Sequence, residues 1–245
     1  MSKKIISING VNISYRDNST DMGVITEVFI EDPYKIMDIP NNAVVVDIGA
    51  NIGTFSVRCA NEKNCIVYAY EPCNDNYKLL VENILENRLG DRVKTFKNAV
   101  SDKKGIREFY VDFYHYAGSS FYLKDAVEKK TFDRPYYTEK VECITLRQIF
   151  EDNNIEHCHI LKIDCEQEEK NILLGGDNKD ITDILKRVDR IMLEFHTLVD
   201  GKEIAEYLKK SNGLSNGFTI SCDNHFQFER GMIYAIRMEE YYYDL

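Results

Sequence analysis

Residues 44–55 read VVVDIGANIGTF. The apolar residues around Asp47 form a nearly continuous run, which is typical of a strand buried on both faces of a parallel sheet. Gly49 and Gly53 then allow the backbone to turn tightly and to approach a ligand. Because a helical pattern follows from about residue 54 to residue 61, this stretch predicts a strand, a glycine turn and a helix, the repeating unit of an α/β fold.

The same alternation of patterns continues along the chain. Apolar runs that predict further strands occur at residues 65–70, 93–100, 160–164 and 190–195. Residues 218–222 and 232–238 are apolar segments without a helical pattern between them, so they predict an antiparallel pair at a sheet edge. We therefore predict an α/β fold with a mostly parallel sheet, helices on both faces, and a β-rich insertion at about residues 106–140, between the third and fourth strands.

Composition limits the class of protein. A chain of 245 residues without a composition shift predicts a single domain over residues 1–245, with an N-terminal extension at about residues 1–40. The formal net charge of −10 makes nucleic acid a poor partner. No apolar run reaches the ~18 residues that suggest a membrane span, and the N-terminus lacks the apolar core of a signal peptide. Seven cysteines without a C-x-x-C pair suggest free thiols, so we expect a cytoplasmic protein.

Polar residues follow the second and third predicted strands. In parallel α/β sheets, ligands bind beyond the carboxyl ends of the strands. Glu71 lies about 20 residues after the glycine turn, where a carboxylate can accept hydrogen bonds from ribose hydroxyls. Asn98 and Ala99 end the third strand, where a side-chain amide beside a small residue could bind an adenine edge. These positions predict a nucleoside-containing ligand, with plain turns as the structural alternative.

The glycine turn distinguishes two cofactors that both contain a ribose. Its G-x-x-x-G spacing differs from the G-x-G-x-x-G fingerprint of dinucleotide sites. Asp47 would repel a pyrophosphate, whereas a carboxylate suits a ligand with a cationic ammonium or sulfonium group. The turn therefore favours S-adenosylmethionine over NAD, and a structural turn capped by Asp47 is the alternative.

The chain resembles the FkbM family of S-adenosylmethionine-dependent methyltransferases in six segments that occur in the same order: VVVDIGANIGTF, YEPCNDNYKLLVENI, NAVSDKKG, GSSF, LKIDCEQEEKNILLGG and MLEFH. The resemblance covers about residues 24–200. It implies a Rossmann-like class I methyltransferase fold, whose mostly parallel seven-stranded sheet has an antiparallel C-terminal edge strand. Members of the family mostly methylate hydroxyl groups of sugars, glycans or polyketide-type natural products.

Carried over by position, the resemblance implies a set of cofactor-binding residues. The methionine part of the cofactor would lie against Asp47, Gly49, Asn51 and Gly53, the ribose against Glu71, and the adenine near Asn98 and Ala99. Ser120, in the GSS segment, would border either the cofactor or the acceptor, or belong to a polar loop. Glu27 and Tyr34 match a weaker family pattern and are taken as further residues of the cofactor pocket.

Methyl transfer to a hydroxyl needs a group that takes up the hydroxyl proton, because an alcohol is a very weak acid. Asp164, Glu166 and His196 follow the fourth and fifth strands and are the catalytic candidates. Histidine titrates near neutral pH and would suit the role of base, with a structural histidine as the alternative. Asp164, Glu194 and His196 also offer the oxygen and nitrogen ligands that Mg²⁺ or Mn²⁺ accepts, so a divalent metal is a further alternative.

The acidic stretch after the fourth strand departs from the family pattern. We expect a helix from about residue 166 to residue 174, capped by Asp164 and Gln167, in which Glu168 and Glu169 are only an acidic first turn. The family form is close to D-x-E-G-x-E, and Gln167 stands where glycine is common. This departure leaves the acceptor and the mechanism open.

These observations predict an S-adenosylmethionine-dependent O-methyltransferase that acts on a hydroxyl of a sugar, glycan or related natural product. The aromatic-rich insertion at about residues 106–140 is the expected acceptor-binding region. Two other functions stay open: an NAD-dependent oxidoreductase on a Rossmann sheet, and a catalytically silent cofactor-binding protein. The sequence carries no signature of an oligomeric state.

Overall fold

The strand that precedes the glycine turn lies in the middle of the main sheet. The computed structural model describes residues 2–113, 115–122, 135–210, 217–225 and 230–237. Its strands are β1 (Lys3–Ile8), β2 (Val11–Arg16), β3 (Val44–Ile48), β4 (Ile66–Tyr70), β5 (Val93–Phe96), β6 (Ala99–Val100), β7 (Gly105–Asp112), β8 (Tyr136–Ile144), β9 (Cys158–Ile163), β10 (Val188–Phe195), β11 (Phe218–His225) and β12 (Arg230–Arg237). Its α-helices are α1 (Asp21–Thr26), α2 (Thr54–Lys63), α3 (Asn74–Glu86), α4 (Leu146–Asp152), α5 (Asn178–Leu185) and α6 (Leu198–Lys210).

Within the described residues, the main sheet has seven strands in the order β11-β12-β10-β9-β3-β4-β5. Neighbours from β10 to β5 are parallel, and β12 is antiparallel to both β10 and β11. This confirms the predicted fold class, with the refinement that the antiparallel strand lies one position inside the edge. The chain leaves β3 in one direction towards β4 and returns on the other side as β9, so β3 and β9 form the switch point where such sheets bind ligands.

Apolar side chains on both faces of the sheet explain the continuous apolar run of β3. Val46 and Ile48 belong to an apolar layer that also contains residues of α4, α5 and α6. Val45 belongs to the layer on the other face, with residues of α2 and α3. The N-terminal hairpin of β1 and β2 adds Val11 and Ile13 to that second layer.

The third predicted strand is divided in the structure. Residues 93–100 were expected to form one strand, but β5 ends at Phe96 and β6 belongs to a separate three-stranded sheet with β8 and β7. This second sheet contains the described part of the β-rich insertion, and β7 and β8 pair antiparallel. Residues 114 and 123–134 of the insertion lie outside the described residues.

Candidate active site

The carboxyl ends of the parallel strands open into a cavity of about 590 Å³, within the usual size range of ligand pockets. The floor comes from the glycine turn and from the ends of β9 and β10, one wall from the end of β4 and the residues that follow β4 and β5, and the opposite wall from residues 20–34. The remaining side is closed by Phe109 of β7 and by four residues that follow this strand, His115, Tyr116, Ser119 and Phe121.

The glycine turn depends on glycine at position 49. Gly49 has a φ of +78°, and a Cβ atom there would lie 1.7 Å from the carbonyl oxygen of Asp164. The backbone N–H groups of Gly49 and Ala50 both donate to the carbonyl oxygen of Tyr70, each at 3.0 Å. Gly53 has a φ of +88° and lies against Leu80. The glycine turn therefore packs directly against the loop that follows β9.

Asp47 lies beneath this turn rather than in the cavity wall. Its side chain is fully buried, and its Oδ2 accepts a hydrogen bond from Ser56 Oγ at 2.7 Å. Its Oδ1 lies 3.1 Å from Lys162 Nζ. This geometry gives Asp47 a supporting role under the turn, and its contact with the cofactor stays a prediction.

Glu71 lies in the cavity wall and is almost completely buried. Its two carboxylate oxygens accept hydrogen bonds from the backbone N–H groups of Asn51 and Cys73, each at 2.9 Å. Burial raises the pKa of Glu71 to about 7, although these hydrogen bonds act in the opposite direction. Asn98 and Ala99 line the same end of the cavity. The structure thus brings the predicted ribose and adenine residues together.

Ser120 and Glu27 occupy different parts of this region. Ser120 is buried, pairs through its backbone with Tyr110, and does not line the cavity, whereas Ser119 does. Gly118 lies under the ring of His115, where a Cβ atom would be 2.3 Å from Nδ1. Close packing against His115 therefore explains why the GSS segment has glycine at this position. Glu27 lines the cavity from the N-terminal wall.

Asp164 is at the floor of the cavity, beneath residues of the N-terminal wall. Its Oδ2 accepts a hydrogen bond from the hydroxyl of Tyr34 at 2.8 Å and lies 3.6 Å from Lys162 Nζ. Burial and the negative charge of Asp164 raise the pKa of Glu27, and they raise the pKa of Glu194 to about 8. This end of the cavity therefore concentrates carboxylates.

His196 is held among carboxylates and does not line the cavity. Its Nε2 lies 3.5 Å from Glu166 Oε2, and its Nδ1 lies 3.1 Å from Glu169 Oε1 without the alignment of a hydrogen bond. Burial lowers the pKa of His196, but the two carboxylates outweigh burial and raise it well above its ordinary value. A protonated imidazole has no lone pair for a proton, so this arrangement favours an ion-pairing role, and the role of His196 as a base stays a prediction.

The predicted metal ligands are only partly brought together. Ligand atoms of Asp164, Glu169 and His196 lie within 4.8 Å of one another, so Glu169 takes the place expected for Glu194. A histidine must be neutral to bind a metal, and the neighbouring carboxylates favour its protonated form. The contacts among these three side chains are accounted for as ion pairs.

A second histidine cluster lies at the opposite end of the sheet, where β9 and β10 begin. His157 Nε2 is 2.8 Å from Asp189 Oδ2, and the backbone N–H of Val44 donates to His159 Nδ1 at 3.0 Å. A neutral imidazole that accepts at Nδ1 carries its proton on Nε2, which removes that nitrogen as a metal ligand. These contacts fit a structural cluster.

The loop after β9 differs from the expected helix start. Glu166 and Gln167 have φ values of +54° and +80°, so residues 165–167 form a turn, and the helical segment begins at residue 169. The turn is held by Glu169, whose Oε1 accepts from the N–H groups of Cys165 and Gln167 at 3.0 and 3.3 Å. The expected helical segment is therefore present, but its expected start at residue 166 and its cap by Asp164 and Gln167 are wrong.

The expectation that Glu168 and Glu169 are only an acidic first turn is also wrong, because both side chains are buried. Glu168 accepts hydrogen bonds from Ser101 Oγ at 2.5 Å, Arg107 Nη1 at 2.7 Å and the hydroxyl of Tyr122 at 2.8 Å. It therefore connects the loop after β9 to the second sheet and to the segments next to its strands. No local sequence pattern predicts this role of Glu168, because all three donors are distant in sequence.

Two further cavity residues have no place among the sequence predictions. Lys162 lies near the carboxyl end of β9 with its charge buried, and the lysine inside the apolar run LKI is the signal that could have identified it. Arg230, at the start of β12, lies with its Nη1 4.0 Å from Glu194 Oε1, and its sequence context gives no signal.

Residues 47–220 match the family model described as the methyltransferase FkbM domain, which is well over half of the chain. The chain belongs to the FkbM methyltransferase family. The predicted family and enzyme class are thereby confirmed, and the family and fold support S-adenosylmethionine as the methyl donor. No helix in the described part of this FkbM-family chain is long and apolar enough to cross a membrane.

Several named proteins are similar to this FkbM-family chain. The 31-O-demethyl-FK506 methyltransferase FkbM of Streptomyces tacrolimicus is 26% identical, and the match covers 88% of each protein. The hexuronic acid methyltransferase AglP of Haloferax volcanii is 25% identical over 76% of this chain and 70% of that protein. The AMB antimetabolite synthetase AmbE of Pseudomonas aeruginosa is 28% identical over 94% of this chain, which spans only 12% of the synthetase. Among solved structures, M. jannaschii TYW2 in complex with AdoMet is 14% identical, with a TM-score of 0.47 over 96% of this chain and 87% of that chain.

Proposed function

We propose that this protein is an S-adenosylmethionine-dependent O-methyltransferase that acts on a hydroxyl of a sugar, glycan or related natural product. One observation carries the proposal: a single cavity joins the glycine turn and Glu71 to the Asp164–Tyr34 pair. A cofactor site and a proton-accepting group thus face the same space, as transfer to a hydroxyl requires.

The residues at the end of the cavity around the glycine turn and Glu71 fit the cofactor. Gly49 presents bare backbone at the carboxyl edge of β3, and Glu71 presents a buried carboxylate to the cavity. The residues that would hold the cofactor are Gly49, Asn51, Glu71, Asn98 and Ala99. When bound, the cofactor supplies a methyl group already activated by a sulfonium.

Asp164 is the candidate that would take up the acceptor proton. Its carboxylate is at the cavity floor, and the Tyr34 hydroxyl orients one of its oxygens. Glu166 lies beside it in the cavity wall and is held by His196. In this proposal Asp164 accepts the proton, while Glu166 and His196 support the shape and charge of the floor.

The charges at the end of the cavity around Asp164 indicate which class of acceptor binds best. The lining there includes the acidic side chains of Glu27, Glu31, Asp164, Glu166 and Glu194, against the cations Lys162 and Arg230. The raised pKa values of Glu27 and Glu194 favour their neutral forms, so the negative charge rests mainly on the other three. Charges at a binding site that have the same sign as the charge of the ligand disfavour binding of that ligand. We therefore expect a neutral hydroxyl compound to bind better than one with a carboxylate, which would separate this chain from the relative named for a hexuronic acid.

The test begins with calorimetric titration of the purified protein with S-adenosylhomocysteine and, separately, with NAD. We expect binding of the first ligand alone; binding of NAD alone would support the oxidoreductase instead. Radiolabelled methyl transfer is then measured over matched neutral sugars and uronic acids, with and without a chelator.

Asp164→Asn is the decisive variant in this assay. We expect it to lower turnover about 100-fold or more, as is common for loss of a general base. His196→Ala serves as the comparison, with a smaller effect expected for an ion-pairing residue. Full turnover by the Asp164 variant would remove the site assignment. Cofactor binding without any methylated product would favour a catalytically silent protein.

A further inference from the structure

Lys162 carries a buried positive charge in the centre of the main sheet. It lies on β9, directly opposite Asp47 of β3 in the parallel register, and its side chain is only 4% exposed. Taking an ammonium group out of water costs several kcal/mol unless nearby acceptors compensate for the lost hydration. A lysine here therefore needs specific partners.

Those partners belong to β3 and to the loops that follow β3 and β9. Lys162 Nζ donates to the carbonyl oxygen of Gly49 at 2.8 Å and lies 3.1 Å from Asp47 Oδ1. It also lies 3.6 Å from Asp164 Oδ2. The rings of Tyr34 and Phe55 complete its surroundings, with centroids 5.4 and 5.9 Å from Nζ.

The hydrogen bond from Lys162 fixes one particular peptide group. The carbonyl oxygen of the Gly49–Ala50 peptide accepts from Lys162, and the N–H of the same peptide donates to the carbonyl oxygen of Tyr70. Both ends of this peptide are therefore held, so the peptide plane has one orientation. Since glycine at position 49 has no Cβ to restrict rotation, an external anchor is required to define this part of the turn.

The same ammonium group connects the turn to the candidate base. Gly49 touches the backbone of Asp164, whose N–H donates to the carbonyl oxygen of Ile48 at 3.1 Å. Lys162 lies beneath this crossing and contacts one side chain or carbonyl from each loop. A counter-ion for Asp47 alone would not require the contact with the Gly49 carbonyl.

We propose that Lys162 is a positioning residue for the cofactor: by anchoring the Gly49–Ala50 peptide, it holds the glycine turn in the shape that binds S-adenosylmethionine. The inference rests on the proposed function, because it takes the turn as part of the cofactor site. It assigns Lys162 no contact with the reacting atoms. Its effect is exerted through the turn and is therefore measured as cofactor affinity.

The first experiment is calorimetric titration of S-adenosylhomocysteine into Lys162→Met and Lys162→Ala. Loss of a hydrogen bond from a charged group predicts affinity about 10-fold to 100-fold weaker in both variants. Lys140→Met, which removes an exposed lysine of β8, is the matched control and should bind as the unmodified protein does. Near-normal affinity in a folded Lys162→Met variant would overturn the proposal.

Rescue separates positioning from a merely structural role. The space left by Lys162→Ala can admit propylammonium, so adding this cation should restore most of the lost affinity. Propanol, a neutral molecule of similar shape, should not, and neither compound should restore Lys162→Met, whose side chain fills the space. Equal rescue by propanol would mean that volume rather than the anchored charge matters, and would contradict the proposal.

A measurement on the unmodified protein covers the case in which both variants fail to fold. In protein labelled with ¹⁵N-lysine, we expect a slowly exchanging ammonium signal from the buried Lys162 that shifts when S-adenosylhomocysteine is added. A protected ammonium signal whose chemical shift stays the same when S-adenosylhomocysteine binds would refute the role in cofactor positioning. If the unmodified protein binds no S-adenosylhomocysteine, the proposed function fails together with this inference, whereas normal binding by folded variants refutes the role of Lys162 alone.

Discussion

The two loops that meet on the cavity floor are held in different ways. The loop after β3 is shaped mainly by its backbone, with glycine at two of its three positions of positive φ and Asn51 at the third, and Lys162 anchors one of its carbonyl groups. The loop after β9 is defined by side chains, because its two residues of positive φ are Glu166 and Gln167 and its buried carboxylates bond to distant groups. A backbone-defined loop can be identified from local sequence, whereas a loop defined by side chains depends on partners that local sequence does not show.

The largest effect is expected where the two loops touch. In Gly49→Ala, the new Cβ would overlap the carbonyl oxygen of Asp164, and displacement of either backbone segment would cost free energy. We expect a loss of about 3 kcal/mol or more in the free energy of unfolding, with no detectable binding of S-adenosylhomocysteine. Gly90→Ala is the control, because a Cβ there meets no atom within 4 Å. If chemical denaturation finds the two variants equally stable, the first loop is not set by this contact.

The buried carboxylate of the second loop provides the next test. Glu168→Gln keeps the shape but removes the charge that faces Arg107, whose own side chain is 37% exposed. Because the partner is partly solvated, we expect a loss of about 2 kcal/mol in the free energy of unfolding rather than the larger cost of a fully buried pair. Glu203→Gln, at an exposed ion pair with Lys170, should change stability by less than about 0.5 kcal/mol. Equal stability of the two variants would show that Glu168 does not define its loop.

The affinity for S-adenosylhomocysteine should depend on pH through Glu71, the carboxylate beside the first loop. Its pKa of about 7 lies above the ordinary value of 4.5, so its ionised form, which in the proposed function accepts hydrogen bonds from the ribose, is gained as the pH rises through about 7. Affinity should fall about tenfold between pH 8 and pH 6, because the ionised fraction falls by that factor. Glu71→Gln should bind weakly with a much flatter profile in the same calorimetric series. A profile that is unchanged in this variant would assign the titration to another group.

The smallest effect concerns the backbone of the second loop. Gln167 adopts a φ of +80°, which costs a residue with a Cβ roughly 1 kcal/mol. Gln167→Gly should therefore raise the free energy of unfolding by up to about 1 kcal/mol. Gln148→Gly, inside α4, should lower it by a similar amount, since glycine disfavours a helix interior. Destabilisation by both substitutions would mean that the Gln167 side chain contributes more than its backbone strain removes.

The predictable features of this protein are those with a local cause. The apolar run of β3 and the glycines that follow it specify a buried strand and a turn, because both depend on residues adjacent in sequence. The register of the sheet then brings Glu71 to the same cavity without further information. The fold class and the cofactor end of the site follow from these local rules.

The remaining features depend on contacts between distant residues. Glu168 has the sequence context of an acidic helix start, and only its three distant partners, in the second sheet and in the segments next to it, explain its burial. Likewise, β6 leaves the main sheet because it pairs with β8, more than 35 residues later. Lys162 is intermediate: its position in an apolar strand is visible in the sequence, but its acceptors are not.

The wall formed by residues 20–34 has a consequence for how such enzymes diversify. This segment lines the cavity above Asp164, yet it precedes the family-matched residues 47–220. In the proposed function, one wall of the acceptor end thus lies outside the family-matched residues, whereas the residues proposed to hold the cofactor lie inside them. A chimera that receives this segment from a relative should change its acceptor while keeping its affinity for S-adenosylhomocysteine, so new specificities can arise by exchange of one short cassette.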